Sequence, residues 1–302
     1  MINSELIKNK AKEFGVDIVG IGDINLFEGS IPQRDPRMIL PAAKCVIGCG
    51  FRVPRALYHT MNSKTQFFNY TQLGVKYIDE EFSEIFLLKM GALIENEGYD
   101  ACLQRNVSNL RIKGDKTTNP ELIDTYELAY AEPVEDGKPA PDIIMDFGRS
   151  AEICGLGSVS VKGSVITPEF GPFVRFVFIV TDAPLECDAP FAGNLCDECG
   201  ECMYACPGNA IDMETGLDTW QCAVYYRGAH KSNPFMTKDF LSGNPEREAI
   251  VNGKKRFNAE SARALYPELD FLPSRQSGYI PCLCGKKCNL TCYEHLKEKK
   301  II

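Results

Sequence analysis

The stretch Cys196-Asp-Glu-Cys199-Gly-Glu-Cys202-Met-Tyr-Ala-Cys206-Pro207 sets four cysteines within eleven residues. Its spacing, C-x2-C-x2-C-x3-C-P, is one that holds [4Fe–4S] clusters. Two-residue steps let the loop curl so that three thiolates converge on three irons of one cube. The fourth cysteine, on the turn of helix that follows, points away toward a neighbouring cube, and the proline ends the loop. If Cys206 serves a second cube, three further thiolates are needed. The stretch Cys282-Leu-Cys284-Gly-Lys-Lys-Cys288-Asn-Leu-Thr-Cys292 supplies candidates, and Cys222 stands alone between the two groups. The allocation becomes Cys196, Cys199, Cys202 and Cys292 for the first cluster, and Cys206, Cys222, Cys284 and Cys288 for the second. Cys282 is left over, either replacing Cys284 or standing as a buried thiol, and the spacing favours the second reading. Zinc also takes four thiolates, but a zinc ribbon uses two separated CxxC knuckles, so a single three-step run argues against it.

The chain has 302 residues, enough for about two domains. Hydrophobic residues at 44% and charged residues at 25% suit a soluble globular protein. Lys plus Arg total 33 against 41 Asp plus Glu, and the net charge of −8 speaks against general nucleic-acid binding. Beyond the cysteines already placed, Cys45, Cys49, Cys102, Cys154 and Cys187 are scattered and form no disulfide framework. No signal peptide, twin-arginine pair or apolar run of membrane length is evident. A reducing cytoplasm and no membrane association are the expectation, which also suits oxygen-sensitive clusters.

Working outward, Asn3 or Ser4 can cap a helix with Leu6, Ile7, Ala11 and Phe14 on one face and Gly15 as its stop. The apolar runs Asp17–Asp23, Lys44–Phe51 and Pro172–Thr181 predict buried strands. Ile78, Phe82, Ile85, Phe86, Leu93 and Ile94 recur at helical spacing and predict a helix over 77–97 with that stripe in the core. Residues 117–142 read as a long connection, and Ala151–Cys154 as a helical turn ended by Gly155. Strands and helices mix up to about Leu185. Beyond it the composition shifts to cysteine, proline and loops, which sets a boundary there.

The stretch from Arg149 through Cys154-Gly-Leu-Gly157 to Pro168-Glu-Phe-Gly171-Pro172 resembles the AGLG…PEFGP signature of epoxyqueuosine reductases and reductive dehalogenases. In both groups that signature leads through a strand ending Thr-Asp-x-Pro-Leu, here Thr181–Leu185, into the ferredoxin run. The resemblance covers roughly residues 140–295 well. It implies an α+β protein: a nitroreductase-like three-layer domain over residues 1–185 and a bacterial-ferredoxin-like two-cluster domain over 186–302. It also implies a base-off cobalamin in the first domain, fed electrons by two [4Fe–4S] clusters, to do chemistry that side chains cannot perform alone. FMN is the alternative cofactor, since nitroreductase-like domains commonly hold a flavin. By the same resemblance Arg149, Gly155, Leu156, Gly157, Ser160 and Gly171 become cofactor-binding candidates. The plain reading of Gly155–Gly157 is a helix C-cap followed by a turn.

Reduction at such a centre needs a proton donor, and a phenol beside a cation suits that task. Asp146, Tyr70 and Lys162 are the candidates put forward, with Tyr58, Tyr77, Arg149 and Arg175 behind them. Epoxyqueuosine reductases carry an Asp-Ser-Ala-Pro segment well before the glycine motif and a Gly-Lys pair after it. This chain has Asp146-Phe-Gly-Arg149 instead, and Ser160-Val161 with Lys162 one place late. It also stops soon after its second cysteine group, where those enzymes often add a helical-repeat domain. These departures, with the acidic charge, speak against a tRNA substrate. They favour a small molecule or another corrinoid protein as target and a low-potential ferredoxin or flavodoxin as electron donor. A non-catalytic electron-transfer protein is the second reading.

Overall fold

The computed structural model describes residues 2–106, 133–139, 142–269 and 281–302. In the first half, α1 spans Ser4–Glu13, β1 Ile18–Asp23, α2 Pro36–Ile39, β2 Cys45–Arg52, α3 Arg55–Asn62 and α4 Phe68–Thr71. A π-helical segment, Gln72–Phe82, runs directly into α5, Ser83–Asn96, and β3 follows at Ala101–Gln104. After the connection come α6 at Phe147–Ile153, the short strands β4 Ser158–Val159 and β5 Val165–Ile166, and β6 Val174–Thr181. Most of the expected connection over 117–142, namely 117–132 and 140–141, lies outside the described residues.

The three long apolar runs become the centre of one antiparallel sheet in the order β1-β2-β6-β3. Ile47 pairs with Ile21 on one side and Ile179 on the other, so alternate residues of β2 and β6 face opposite ways. Ile21, Ile47, Val177 and Ile179 pack with Ile7, Phe86, Met90 and Ile94 of α1 and α5. Val46, Phe176, Phe178 and Val180 instead pack with Ala151, Ile153 and Leu156 at α6. Helices therefore cover both faces of the sheet. The absence of a side chain at Gly20 lets α6 press close, because a Cβ there would collide with the carbonyl of Cys154.

Local chemistry sets the ends of these elements. Asn3 caps α1 by accepting from the Leu6 amide at 2.8 Å, and Gly15 leaves the helix with φ +104. The expected helix over 77–97 begins earlier, at Gln72, and its first part is π-helical. Wider π turns rotate the facing of the stripe. Ile78, Phe86 and Ile94 are buried as expected, whereas Phe82 and Ile85 face outward, 45% and 54% exposed.

In the second half, α7 spans Glu201–Ala205, β7 Ile211–Asp212, β8 Gly216–Leu217, α8 Thr219–Tyr226, α9 Arg247–Val251, α10 Ala259–Leu269 and α11 Lys287–Glu298. Trp220, Val224, Ile250, Val251, Ala262 and Leu265 make a core of their own there. Apolar packing nevertheless crosses the compositional boundary at Leu185. Cys282, Leu283, Leu290 and Tyr293 sit in the same cluster as Tyr58 and Phe173, and Tyr293 stacks on Phe173 with ring centroids 4.6 Å apart. No helix among the described residues is long and apolar enough to cross a membrane.

Candidate redox centre and reaction pocket

The loop ahead of α7 is shaped by side chains. Asn194 accepts from the Cys196 amide at 3.0 Å, and Ser158 accepts from the Leu195 amide at 2.8 Å. Left-handed turns at Glu198 (φ 55) and Gly200 (φ 77) then fold the Cys196–Cys202 run back on itself. On α11, Cys288 and Cys292 lie four residues apart and share a face. Cys196, Cys199, Cys202 and Cys292 line one small cavity together with Lys162 and His295. The thiol of Cys222 has Cys284, Cys288 and Cys206 as its charge neighbours. The eight cysteines are thus brought together as two sets of four, and Cys288 also neighbours Cys202 and Cys292 of the first set.

Cys282 is fully buried, its sulfur 3.7 Å from that of Cys284. Burial raises the thiols of Cys199, Cys202, Cys206, Cys288 and Cys292 above their ordinary value and pushes Cys222 up to about 12. Sulfur this reluctant to ionise alone gives up its proton when a metal cation replaces it. The donor sets therefore fit iron–sulfur cubes. At the rim of the first set His295 Nε2 lies 2.7 Å from Asp197 Oδ2, a contact that holds the Asp197 carboxyl below its usual value.

Beside the second set lies a pocket of about 480 Å3, walled by Tyr58, Tyr70, Arg175, Lys286, Cys222 and Cys288. Tyr58 and Tyr70 are nearly sealed, with ring centroids 5.0 Å apart, and Tyr58 stacks on Phe173 at 4.0 Å. Burial raises both phenols, while Lys286 and Arg175 pull Tyr70 the other way. Burial works against the charge of Arg175, yet Asp79 holds its guanidinium above the ordinary value. Nε donates to Asp79 Oδ1 at 2.9 Å and Nη2 donates to Oδ2. Among the described residues the pocket thus offers two phenols, four cations (Arg34, Lys162, Arg175 and Lys286) and the thiols of Cys222 and Cys288.

Of the proposed catalytic residues, Tyr70 and Lys162 line this pocket. Asp146 does not, although its neighbours Met145 and Phe147 do. Its carboxylate caps α6, accepting from the Arg149 amide at 3.0 Å. None of the six cofactor-binding candidates lines the pocket. The Arg149 guanidinium donates to the Leu26 and Glu28 carbonyls at 2.9 and 2.8 Å. Gly155 is a left-handed C-cap (φ 73) pressed against the Ala189 carbonyl, and Leu156 is core. A Cβ at Gly157 would collide with the Ile166 carbonyl. Ser160 Oγ closes the β4–β5 hairpin onto the Ser164 carbonyl at 2.7 Å, and Gly171 (φ 57) bridges to Thr167. The glycine motif thus makes its close approaches to the chain's own backbone. Sequence reasoning missed Lys286 and Asp79. Lys286 could have been found from its place between Cys284 and Cys288, whereas Asp79, one of three consecutive acids on a helix, carried no signal.

No family model matches the chain. An epoxyqueuosine reductase of Bacillus subtilis is 21% identical over 291 residues, covering 88% of this chain and 63% of that protein. A tetrachloroethene reductive dehalogenase of Sulfurospirillum multivorans is 43% identical over 60 residues, 19% of this chain and 12% of that one. The chain's relatives are epoxyqueuosine reductases and reductive dehalogenases. In each of these two comparisons it spans less than two-thirds of the relative's length. A crystal structure of epoxyqueuosine reductase with an epoxyqueuosine-modified tRNA stem loop superposes with a TM-score of 0.50 at 14% identity, covering 98% of this chain and 82% of that one. That likeness extends the shared fold across both halves. It also corrects the expectation against tRNA. Relatives of this chain are named for a tRNA nucleoside, and a fold neighbour was crystallised on a tRNA stem, so net charge and chain length are no ground for excluding one.

Proposed function

We propose that this protein is an iron–sulfur reductase in which two [4Fe–4S] clusters, held by the two cysteine sets, would supply single electrons to a cobalamin held beside Tyr70. The carrying observation is that Cys222 and Cys288, allotted to the second cluster, form part of the wall of the same pocket as Tyr58, Tyr70, Arg175 and Lys286. Bound there, the corrin supplies low-potential two-electron chemistry. The first thiol set takes electrons from a low-potential ferredoxin or flavodoxin in the cytoplasm.

Tyr70 holds the proton. Its phenol stays neutral in the buried site, and Lys286 and Arg175 stabilise the phenolate left after the proton passes to the leaving group or product carbon. Asp79 fixes the Arg175 guanidinium through two hydrogen bonds. Tyr58 and Phe173 exclude water from that side by stacking. The names of the relatives support two substrate classes as proposals: a carbon–oxygen bond of an epoxide on a modified nucleoside, or a carbon–halogen bond.

Anaerobic reconstitution with iron, sulfide and cobalamin tests the reading. Eight irons per chain, a co-eluting corrin and a cobalt spectrum that changes on reduction are expected. Clusters without bound corrin would leave the second reading, an electron-transfer protein. A flavin spectrum in the anaerobically purified protein would replace cobalamin with FMN.

A further inference from the structure

Lys162 sits at the tip of the β4–β5 hairpin, where the Gly163 amide donates to the Ser160 carbonyl at 2.7 Å and Gly163 takes a left-handed turn (φ 76). The tip abuts the second half of the chain, since a Cβ at Gly216 would lie 3.1 Å from the Val161 carbonyl oxygen. From there the lysine side chain passes inward and is 5% exposed. Its ammonium is buried, has no oxygen or nitrogen partner among the described residues, and lies against the Cys292 thiol. No carboxylate is hydrogen-bonded to it among the described residues. Its charge neighbours are instead the thiols of Cys202 and Cys292 on one side and Cys288 on the other. The same side chain lines both the small cavity of the first cysteine set and the pocket beside the second.

A buried ammonium without an anion is costly enough that native structures rarely keep one. The cost disappears when the neighbouring space is occupied by anions, and a cube held by four thiolates is one. We infer that Lys162 is a positioning residue for electrons: its fixed positive charge, set between the two cysteine quartets, raises the reduction potential of both clusters. Each cluster gains one unit of negative charge when it takes an electron from the donor and loses it when the electron moves on. A cation within reach of both stabilises each reduced state.

The inference rests on the two-cluster reading, and one experiment separates the two. Redox titration of the reconstituted holoprotein, followed by electron paramagnetic resonance, is run on parent, Lys162→Gln and Lys162→Arg, with iron counted in each. The expected result is that Lys162→Gln keeps eight irons while both clusters become at least about tenfold harder to reduce, a fall of about 59 mV for a one-electron couple. Lys162→Arg keeps both potentials near the parent's. Unmoved potentials in an iron-loaded Gln variant, or a shift confined to one cluster, overturn the inference and leave the two-cluster reading intact. A parent protein with far fewer than eight irons overturns that reading itself. If Lys162→Gln fails to load iron, the Arg variant decides: parental potentials support the role of charge, and a fall or failure to load refutes it.

Discussion

Replacing Asp79 by Asn keeps the shape of the side chain and removes the charge that Arg175 is bonded to. The carboxylate is 5% exposed and the guanidinium 28%, so the acid is buried and the base opens partly onto the pocket. Breaking a fully buried pair by neutralising one partner costs about 3–5 kcal/mol. Water reaching Arg175 from the pocket offsets part of that, which leaves about 2–3 kcal/mol, or roughly a 30- to 150-fold loss in the folded-to-unfolded ratio. Anaerobic urea unfolding of the holoprotein, followed by far-ultraviolet circular dichroism, measures it. The double replacement Asp79→Leu with Arg175→Met removes both charges and recovers most of the loss, because apolar side chains fill the same space without desolvating an ion. Turnover stays low in both variants, since neither keeps the cation in its place beside Tyr70. An Asp79→Asn protein within about 0.5 kcal/mol of the parent, the range of an ordinary surface change, would refute the account of this pair.

Other outcomes follow from the same geometry. Tyr70→Phe leaves iron content unchanged and lowers the chemical step by about 10²- to 10⁴-fold, the usual contribution of a positioned proton donor, as single-turnover kinetics will show. Cys282→Ala retains eight irons on elemental analysis, whereas Cys284→Ala loses iron, because Cys284 neighbours Cys206 and Cys222 while Cys282 is packed into the apolar core. His230 is buried, and burial lowers its ring to about 4 from an ordinary value near 6.5. The folded state therefore binds fewer protons than the unfolded state between those values. The stability this gives is fully present above about pH 6.5 and is lost as pH falls toward 4, a change of order 3 kcal/mol. His230→Gln flattens that part of the stability–pH curve; equal slopes in the two proteins would show that the ring is not held neutral.

Spacing was legible where it is dictated by coordination. The run Cys196–Cys206 and the later Cys222, Cys284, Cys288 and Cys292 lie near one another as the spacing suggested, and their assignment to two clusters remains a proposal. The strands were legible because β1, β2 and β6 are buried on both faces and read as short unbroken apolar runs. Phe82 and Ile85 misled because a change from π to α turns inside one helix has no counterpart in side-chain periodicity. The glycine motif was open to two readings for a physical reason: bare backbone admits a cofactor and a neighbouring strand equally well, and here Gly157 lies against Ile166. Asp79 was invisible since its partner Arg175 is 96 residues away. Chain length and net charge describe the whole molecule and say nothing local, which is why they misjudged the tRNA question.

Helix α11 carries Cys288 for one quartet and Cys292 for the other, and on the same turns Leu290 and Tyr293 plug the core of the opposite half, with Tyr293 accepting from Arg55 at 2.9 Å. Maturation and tertiary closure then share one latch. If the two quartets hold the proposed clusters, delivery of iron and sulfide would clamp the same helix that Leu290 and Tyr293 seat in the hydrophobic interior. Oxidative loss of such a cluster, by the same linkage, would slacken the wall around Tyr58, which packs in the same core as Leu290 and Tyr293.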